Sequence, residues 1–276
     1  MSLANRALWV IDRHLRTELS LGSVAEACGV SRYHLAHAFG GTTGMPVMAY
    51  VRLRRLSEAA LQLAAGASNI LDLAMEYGYS SHEAFSRAFR TQFGITPEAV
   101  RREATVERLP LLLPINVVQD GRTSLRVARY EDGAEMLFVG LGQPIAFSAT
   151  QAIAALWERF SQRYEEIEPK LDPCPWGVCT NLDDDGNFEY VCAVRVSRFA
   201  PLPKGLQKLT VAPRSYAVFV HSAHVSTIYQ TYAAIWNNWL PESGRTVADA
   251  ASLEAHLPAF DPRTGLGGVE IWVPLT

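Results

Sequence analysis

Starting at Leu21, the apolar positions of this chain follow a pattern that returns fifty residues later. The stretch "LGSVAEACGVSRYHLAHAFGGTTG" aligns without a gap with "LDLAMEYGYSSHEAFSRAFRTQFG", which begins at Leu71. Leu21 pairs with Leu71, Ala25 with Met75, Ser31 with Ser81, Leu35 with Phe85, Phe39 with Phe89 and Gly44 with Gly94. Each copy predicts a short helix, a tight turn ("CGVS" or "GYSS") and a second helix capped by Ser31 or Ser81. That is the outline of a helix-turn-helix. Between the copies, "VMAYVRLRRLSEAALQLAAG" keeps helical apolar spacing without an internal Pro or Gly, which predicts one long helix holding them apart.

In the second helix of the second copy, Ala84, Phe85, Ala88 and Phe89 fall on one side and His82, Glu83, Ser86, Arg87 and Arg90 on the other. The matching polar face of the first copy is Arg32, Tyr33, Ala36, His37 and Gly40. A single such helix would be read as a solvated surface. Two at a fixed separation can enter successive major-groove faces about 34 Å apart, so both faces are expected to meet DNA. Arg87 suits a bidentate contact to guanine. Arg90 and the spacer arginines Arg52, Arg54 and Arg55 suit phosphates or solvent, and Glu83 also suits a helix N-terminus.

Beyond residue 105 the period changes. Strand-like runs alternate with two aromatic helices, "AALWERF" (154–160) and "AAIWNNW" (233–239), which match at an offset of 79. Each follows a strand ("EMLFVGL", "YAVFVH") and precedes another carrying an acid ("FEYVCAV", "VEIWVPL"). Two strand-helix-strand modules are therefore expected, as two sheets meeting about a pseudo-twofold axis with a ligand cleft between them. On the last strand Val269, Ile271 and Val273 alternate with Glu270 and Trp272. An acid beside aromatics suits an amphipathic cation, through charge pairing and cation–π contact.

Charge sharpens the division. Residues 1–105 carry 11 Arg, no Lys and 9 Asp/Glu, whereas residues 106–276 carry 14 Lys+Arg and 19 Asp/Glu. The excess is mild, but the halves differ in sign, which suits a basic module joined to an acidic one. No apolar run approaches the roughly 20 residues a spanning helix needs, and no secretory signal is evident. With only four cysteines (Cys28, Cys174, Cys179, Cys192), the chain is expected to be cytoplasmic with reduced thiols. "DDDGN" (183–187) lacks the alternate spacing of a calcium loop and reads as a hairpin turn. His221 and His224 lack a third metal ligand nearby, and no nucleotide-binding or nucleophile-elbow fingerprint occurs. No metal, cofactor or catalytic residue is assigned.

"LDLAMEYGYSSHEAFSRAFRTQFGITP" resembles the signature of the AraC/XylS transcription regulators, and the likeness covers about residues 5–103. It implies recognition helices in adjacent major grooves, with contacts from Tyr33, Ala36 and His37 and from His82, Glu83, Ser86 and Arg87. The first copy departs from the family pattern: His37 and Gly40 stand where basic residues are usual, Ala36 is short, and "GMPVMAY" replaces the usual Gly-x-Ser-Pro ending. First-helix readout is therefore expected to be weaker, with Arg32 and Tyr33 carrying more of it.

"APRSYAVFVHSAHVSTIYQTYAAIWNNWLPESG" and the terminal "VEIWVPLT" resemble the GyrI-like effector-binding domain over about residues 120–276, and the whole resembles the Rob-type architecture. The resemblance implies a pocket-floor glutamate, assigned to Glu270, with Tyr216, Trp176, Tyr190 and Trp239 as lining. The fold expected is α+β in two domains: an all-α double helix-turn-helix (1–105), a linker (106–119, a hinge) and a duplicated α+β GyrI-like domain (120–276). The function expected is a transcription regulator that binds double-stranded DNA and a small-molecule effector, for which a cationic amphipath is the candidate chemistry, with RNA polymerase a candidate partner. Two helix-turn-helix units in one chain point to a monomer. The alternatives are a GyrI-like hydrolase, using Glu270 with Tyr190 or Tyr216, and a protein that sequesters toxic cations.

Overall fold

A computed structural model describes residues 2–67, 69–115, 126–146, 151–183 and 187–276. The first half is helical: α1 (Leu3–Arg13), α2 (Leu21–Ala27), α3 (Arg32–Thr43), α4 (Val47–Ala64), α5 (Ile70–Glu76), α6 (His82–Phe93) and α7 (Pro97–Glu103). The repeat folds as its caps dictate. Ser31 Oγ accepts from His34 N at 3.2 Å and Ser81 Oγ from Ala84 N at 3.1 Å, each closing an N-terminus. Gly44 and Gly94 end α3 and α6 in the left-handed conformation, which glycine adopts without a Cβ penalty. The spacer is the single helix α4, 18 residues long.

Two spacer arginines correct the sequence expectation. Arg54 is 2% exposed, with its guanidinium on Asp12 Oδ1 (2.7 Å), Glu58 Oε1 (2.9 Å) and the Leu112 carbonyl (2.8 Å). Arg55 donates to the carbonyls of Leu15 (2.8 Å) and Thr17 (2.7 Å). Both brace the helical domain; Arg54 is withdrawn from solvent, Arg55 is half-buried and Arg52 stays exposed. The expected hinge is also held along part of its length, because Leu112 N donates to Ser57 Oγ at 2.9 Å beside the Arg54 contact. Residues 116–119, which complete the expected linker, lie outside the described residues.

The second half is one antiparallel eight-stranded sheet, not two sheets, in the order β1-β6-β8-β7-β3-β4-β2-β5. Its strands are β1 (Arg129–Gly133), β2 (Met136–Ala146), β3 (Lys170–Thr180), β4 (Asn187–Val196), β5 (Gln207–Val211), β6 (Arg214–His221), β7 (Ser252–His256) and β8 (Val269–Pro274). The expected duplication is visible in the order: β5-β2-β4-β3 mirrors β1-β6-β8-β7, so the pseudo-twofold falls between β3 and β7. Both aromatic helices lie on one face. α8 (Gln151–Ser161) covers β2 and β4, packing Leu156 and Phe160 on Val139, Cys192 and Val194. α9 (Ile228–Ala234) continues through a π turn (Ile235–Trp239) into α10 (Leu240–Ser243) and covers β6 and β8 through Trp236 and Trp239. The widened turn ends two residues before Pro241, which cannot supply the N–H of an ordinary helical bond.

One apolar cluster runs from Leu3, Phe39 and Phe89 in the helical half to Phe219, Trp236, Ile271 and Val273 in the sheet half. The two halves thus share a core. The sheet face away from the helices has its own cluster, which includes Phe138, Trp176, Tyr216, Leu253 and Trp272. No helix among the described residues is long and apolar enough to cross a membrane. All four cysteines are free, and Cys28, Cys179 and Cys192 are buried.

Candidate effector cleft and nucleic-acid interface

Between α8 and α9 the floor of the sheet is β3 beside β7. On β7 the alternation turns Leu253 and Ala255 toward the far cluster, and Ser252, Glu254 and His256 toward the helices. Gly177 lies opposite Glu254 in the β3–β7 register. A Cβ on Gly177 would collide with the Tyr190 hydroxyl and come within 3.0 Å of Glu254 Oε2, so glycine is what lets Tyr190 lie across β3 to the carboxylate. Tyr190 donates to Glu254 Oε2 at 2.6 Å and accepts from Trp157 Nε1 at 3.2 Å. From the opposite wall Tyr232 donates to Glu254 Oε1 at 2.7 Å. The Trp157 ring rests on His256 at 4.6 Å, and His256 stacks on Phe260 at 4.2 Å.

Glu254 is therefore a half-buried carboxylate whose donors are two phenols, flanked by the aromatic side chains of Tyr190, Tyr232 and Trp157. Burial pushes its pKa up, an effect that Tyr190 and Tyr232 oppose in part by bonding the charged form. Such a group gains from an apolar cation, which restores the charge compensation that water no longer gives.

Glu270, the glutamate expected at a pocket floor, is not part of this cluster. Glu270 lies on β8, where Ile271 and Val273 take the helix face and leave Glu270 with Trp272 on the other. There Arg129 grips both carboxylate oxygens, at 2.5 and 2.9 Å, and stands 5.2 Å over the Trp272 ring. These bonds hold the Glu270 pKa below its ordinary value. The protein itself supplies the cation expected at this site. Trp176 and Tyr216 pack on Trp272 at 5.4 and 5.6 Å, also on the far face, and Trp239 packs on Phe219 at 4.8 Å. Of the five expected residues only Tyr190 reaches the cleft carboxylate, so neither Glu270–Tyr190 nor Glu270–Tyr216 is assembled there. The overlooked signal was the alternation of "SLEAHL" (252–257), which resembles an ordinary half-solvated strand. His221, considered for metal, instead bonds Thr231 Oγ1 (2.8 Å) and the His224 carbonyl (3.1 Å).

The recognition helices differ. On α6 only Phe85 and Phe89 are buried, while Glu83, Arg87 and Arg90 are exposed. Ser86, Arg87, Arg90, Thr91 and Thr96 line an open hollow, and the Ser86 hydroxyl is buried there without a hydrogen-bond partner. Glu83 has a lowered pKa through its own backbone N–H and Ser81, as befits an acid at a helix N-terminus. His82 joins Glu98 of α7 at 2.9 Å. On α3, by contrast, every residue from Tyr33 to Phe39 is buried, and Arg32 alone of the expected contacts Arg32, Tyr33, Ala36 and His37 is exposed. The expectation that this face stands open to DNA is corrected: α9 and the π turn cover it. His37 stacks on Tyr232 (5.6 Å) and Trp236 (5.5 Å), and His34 Nε2 lies 3.3 Å from the Trp236 carbonyl.

Comparison with known proteins agrees with this architecture. Residues 24–103 match a helix-turn-helix domain model and residues 129–276 match the GyrI-like small molecule binding domain. Transcriptional regulator Rob of Salmonella typhimurium is 25% identical, over 94% of this chain and 91% of that protein. Right origin-binding protein of Escherichia coli K12 is also 25% identical, with the same two shares. Regulatory protein SoxS of Escherichia coli K12 is 40% identical over 33% of this chain and 85% of its own length.

Proposed function

This chain belongs to the GyrI-like small molecule binding family and carries that domain behind an AraC-type helix-turn-helix, and on that premise we propose which residues read DNA and which hold the effector. It is an effector-controlled DNA-binding transcription regulator. The effector site is the notch over Glu254, and its ligand is an organic cation with aromatic or apolar bulk. Tyr190, Tyr232 and Trp157 form the contacting walls. The observation that carries this reading is the half-buried Glu254 carboxylate, bonded by two phenols and raised in pKa by burial.

On the DNA side α6 is the helix whose polar face is open. Arg87 is the guanine-reading candidate, and Arg90 with the unpartnered Ser86 hydroxyl suits a phosphate along the same hollow. His82, tied to Glu98, positions the start of α6.

The test is titration calorimetry of the full chain with tetraphenylphosphonium, an apolar monovalent cation. Glu254→Gln should lower its affinity at least tenfold, and Glu270→Gln, beside Arg129, should leave it within twofold. Wild-type affinity in the Glu254→Gln protein would remove the proposed anchor.

A further inference from the structure

The two copies of the repeat can be compared at one offset, position by position. Where open α6 has Ser86, Arg87, Arg90 and Thr91, covered α3 has Ala36, His37, Gly40 and Gly41. Each of these four exchanges makes the first copy smaller or removes a permanent charge, and His37 and Gly41 among them meet α9. A Cβ on Gly41 would stand 3.5 Å from the Ala233 Cβ, ordinary contact for two closely packed helices. Asn237 Nδ2 of the π turn donates to Thr42 Oγ1 at 3.0 Å. Further along, the Tyr33 ring meets Trp236 edge-on at 5.8 Å, and burial raises the pKa of its hydroxyl. His37 stacks on Tyr232, the residue whose hydroxyl bonds Glu254.

A helix with its side chains is about 10–12 Å across and the major groove about 12 Å wide, so a recognition helix in the groove has no room for a second helix on the same face. Docking of α3 on α9 and insertion of α3 into DNA therefore exclude each other. We propose that α3 is an internal plug of the Glu254 cleft: the first recognition helix competes with the cationic effector for the same aromatic surface, and effector binding frees α3 for DNA. The proposal rests on the reading of that cleft as the effector site. Because cation and DNA both favour the undocked state, each must tighten binding of the other by the same factor.

The separation of the Gly41 and Ala233 positions lies within the Cβ–Cβ range of a disulfide. In full-length protein carrying Cys174→Ser, Gly41→Cys with Ala233→Cys should cross-link on mild oxidation. The oxidised form should bind the regulator's own upstream DNA at least tenfold more weakly, with a footprint reduced to one major-groove turn. It should also lose tetraphenylphosphonium binding, and dithiothreitol should restore both. In the uncross-linked protein, saturating tetraphenylphosphonium should tighten DNA binding at least fivefold.

An oxidised protein with the full footprint and undiminished affinity would overturn the plug. Failure of a folded, DNA-binding double variant to cross-link would overturn it too. If oxidation removes the DNA footprint while tetraphenylphosphonium binds neither form, the docking contact stands; the effector reading, and the competition built on it, then fail. Glu254→Gln, measured in parallel, separates those cases.

Discussion

The second helices of the two repeats, α3 and α6, match at Leu35 and Phe85, Phe39 and Phe89, and Gly44 and Gly94, and each begins at a serine cap. Their inner faces do the same work: Phe39 and Phe89 are both fully buried in the shared core. Their outer faces do not. α6 keeps two arginines in solvent, whereas α3 turns a histidine and a glycine, His37 and Gly41, to another helix. Duplication preserved what the helix-turn-helix needs to fold and left each outer face free to be matched to its neighbour. A departure from a repeat's own pattern is thus informative about contact, since the inner face cannot vary without loss of packing.

The largest expected effect tests the shared half of that comparison. Phe39→Ala and Phe89→Ala should each lose about 3–5 kcal/mol of stability, the usual cost of emptying a buried phenylalanine site. Urea denaturation measures both, and a loss confined to one variant would break the equivalence of the inner faces.

The second test separates the outer faces by pH. Burial lowers the pKa of His34 to about 4 and that of His37 to about 3. The groups facing them are Arg6, Tyr33, Tyr232 and the Trp236 carbonyl, together with one another. Both imidazoles bind protons more weakly when docked than when free, so acid favours the undocked state. Docking should hold above about pH 6.5 and weaken as pH falls from there toward 4, by roughly 2 kcal/mol per histidine at pH 5. Amide exchange should therefore quicken in α3 and not in α6. Equal responses from both helices would mean general acid unfolding rather than undocking.

The smallest effect belongs to α6 alone. Arg87→Ala should cost about 1–3 kcal/mol of specific DNA affinity, measured by competition across a salt series. A mutant that keeps its preference among fragments would demote Arg87 to a phosphate contact.

Much of the helical half was legible because its signals are local. Serine caps, Gly44 and Gly94, and a spacer without Pro or Gly act within a few residues of where they stand. Arg54 and Arg55 were misread because their partners, Asp12, Leu15 and Leu112, are far away in sequence. The same limit applied to α3. Its period marks an outer face, but a period does not say whether that face is covered by DNA, water or another part of the chain.

The sheet half makes the division sharpest. By itself the sequence determined the duplication, the two aromatic helices and the alternation on β8 that separates Glu270 from Ile271. Tertiary structure alone decided which side of the sheet received the helices. Two-residue alternation divides a strand into faces without telling which face receives the helices, and an acid on either face looks the same. Hydrogen-bond register then brought Gly177 opposite Glu254, cleared the path for Tyr190, and left Glu270 on the far face with Arg129. Those outcomes depend on which strands become neighbours, and that is a property of the assembled sheet rather than of any segment within it.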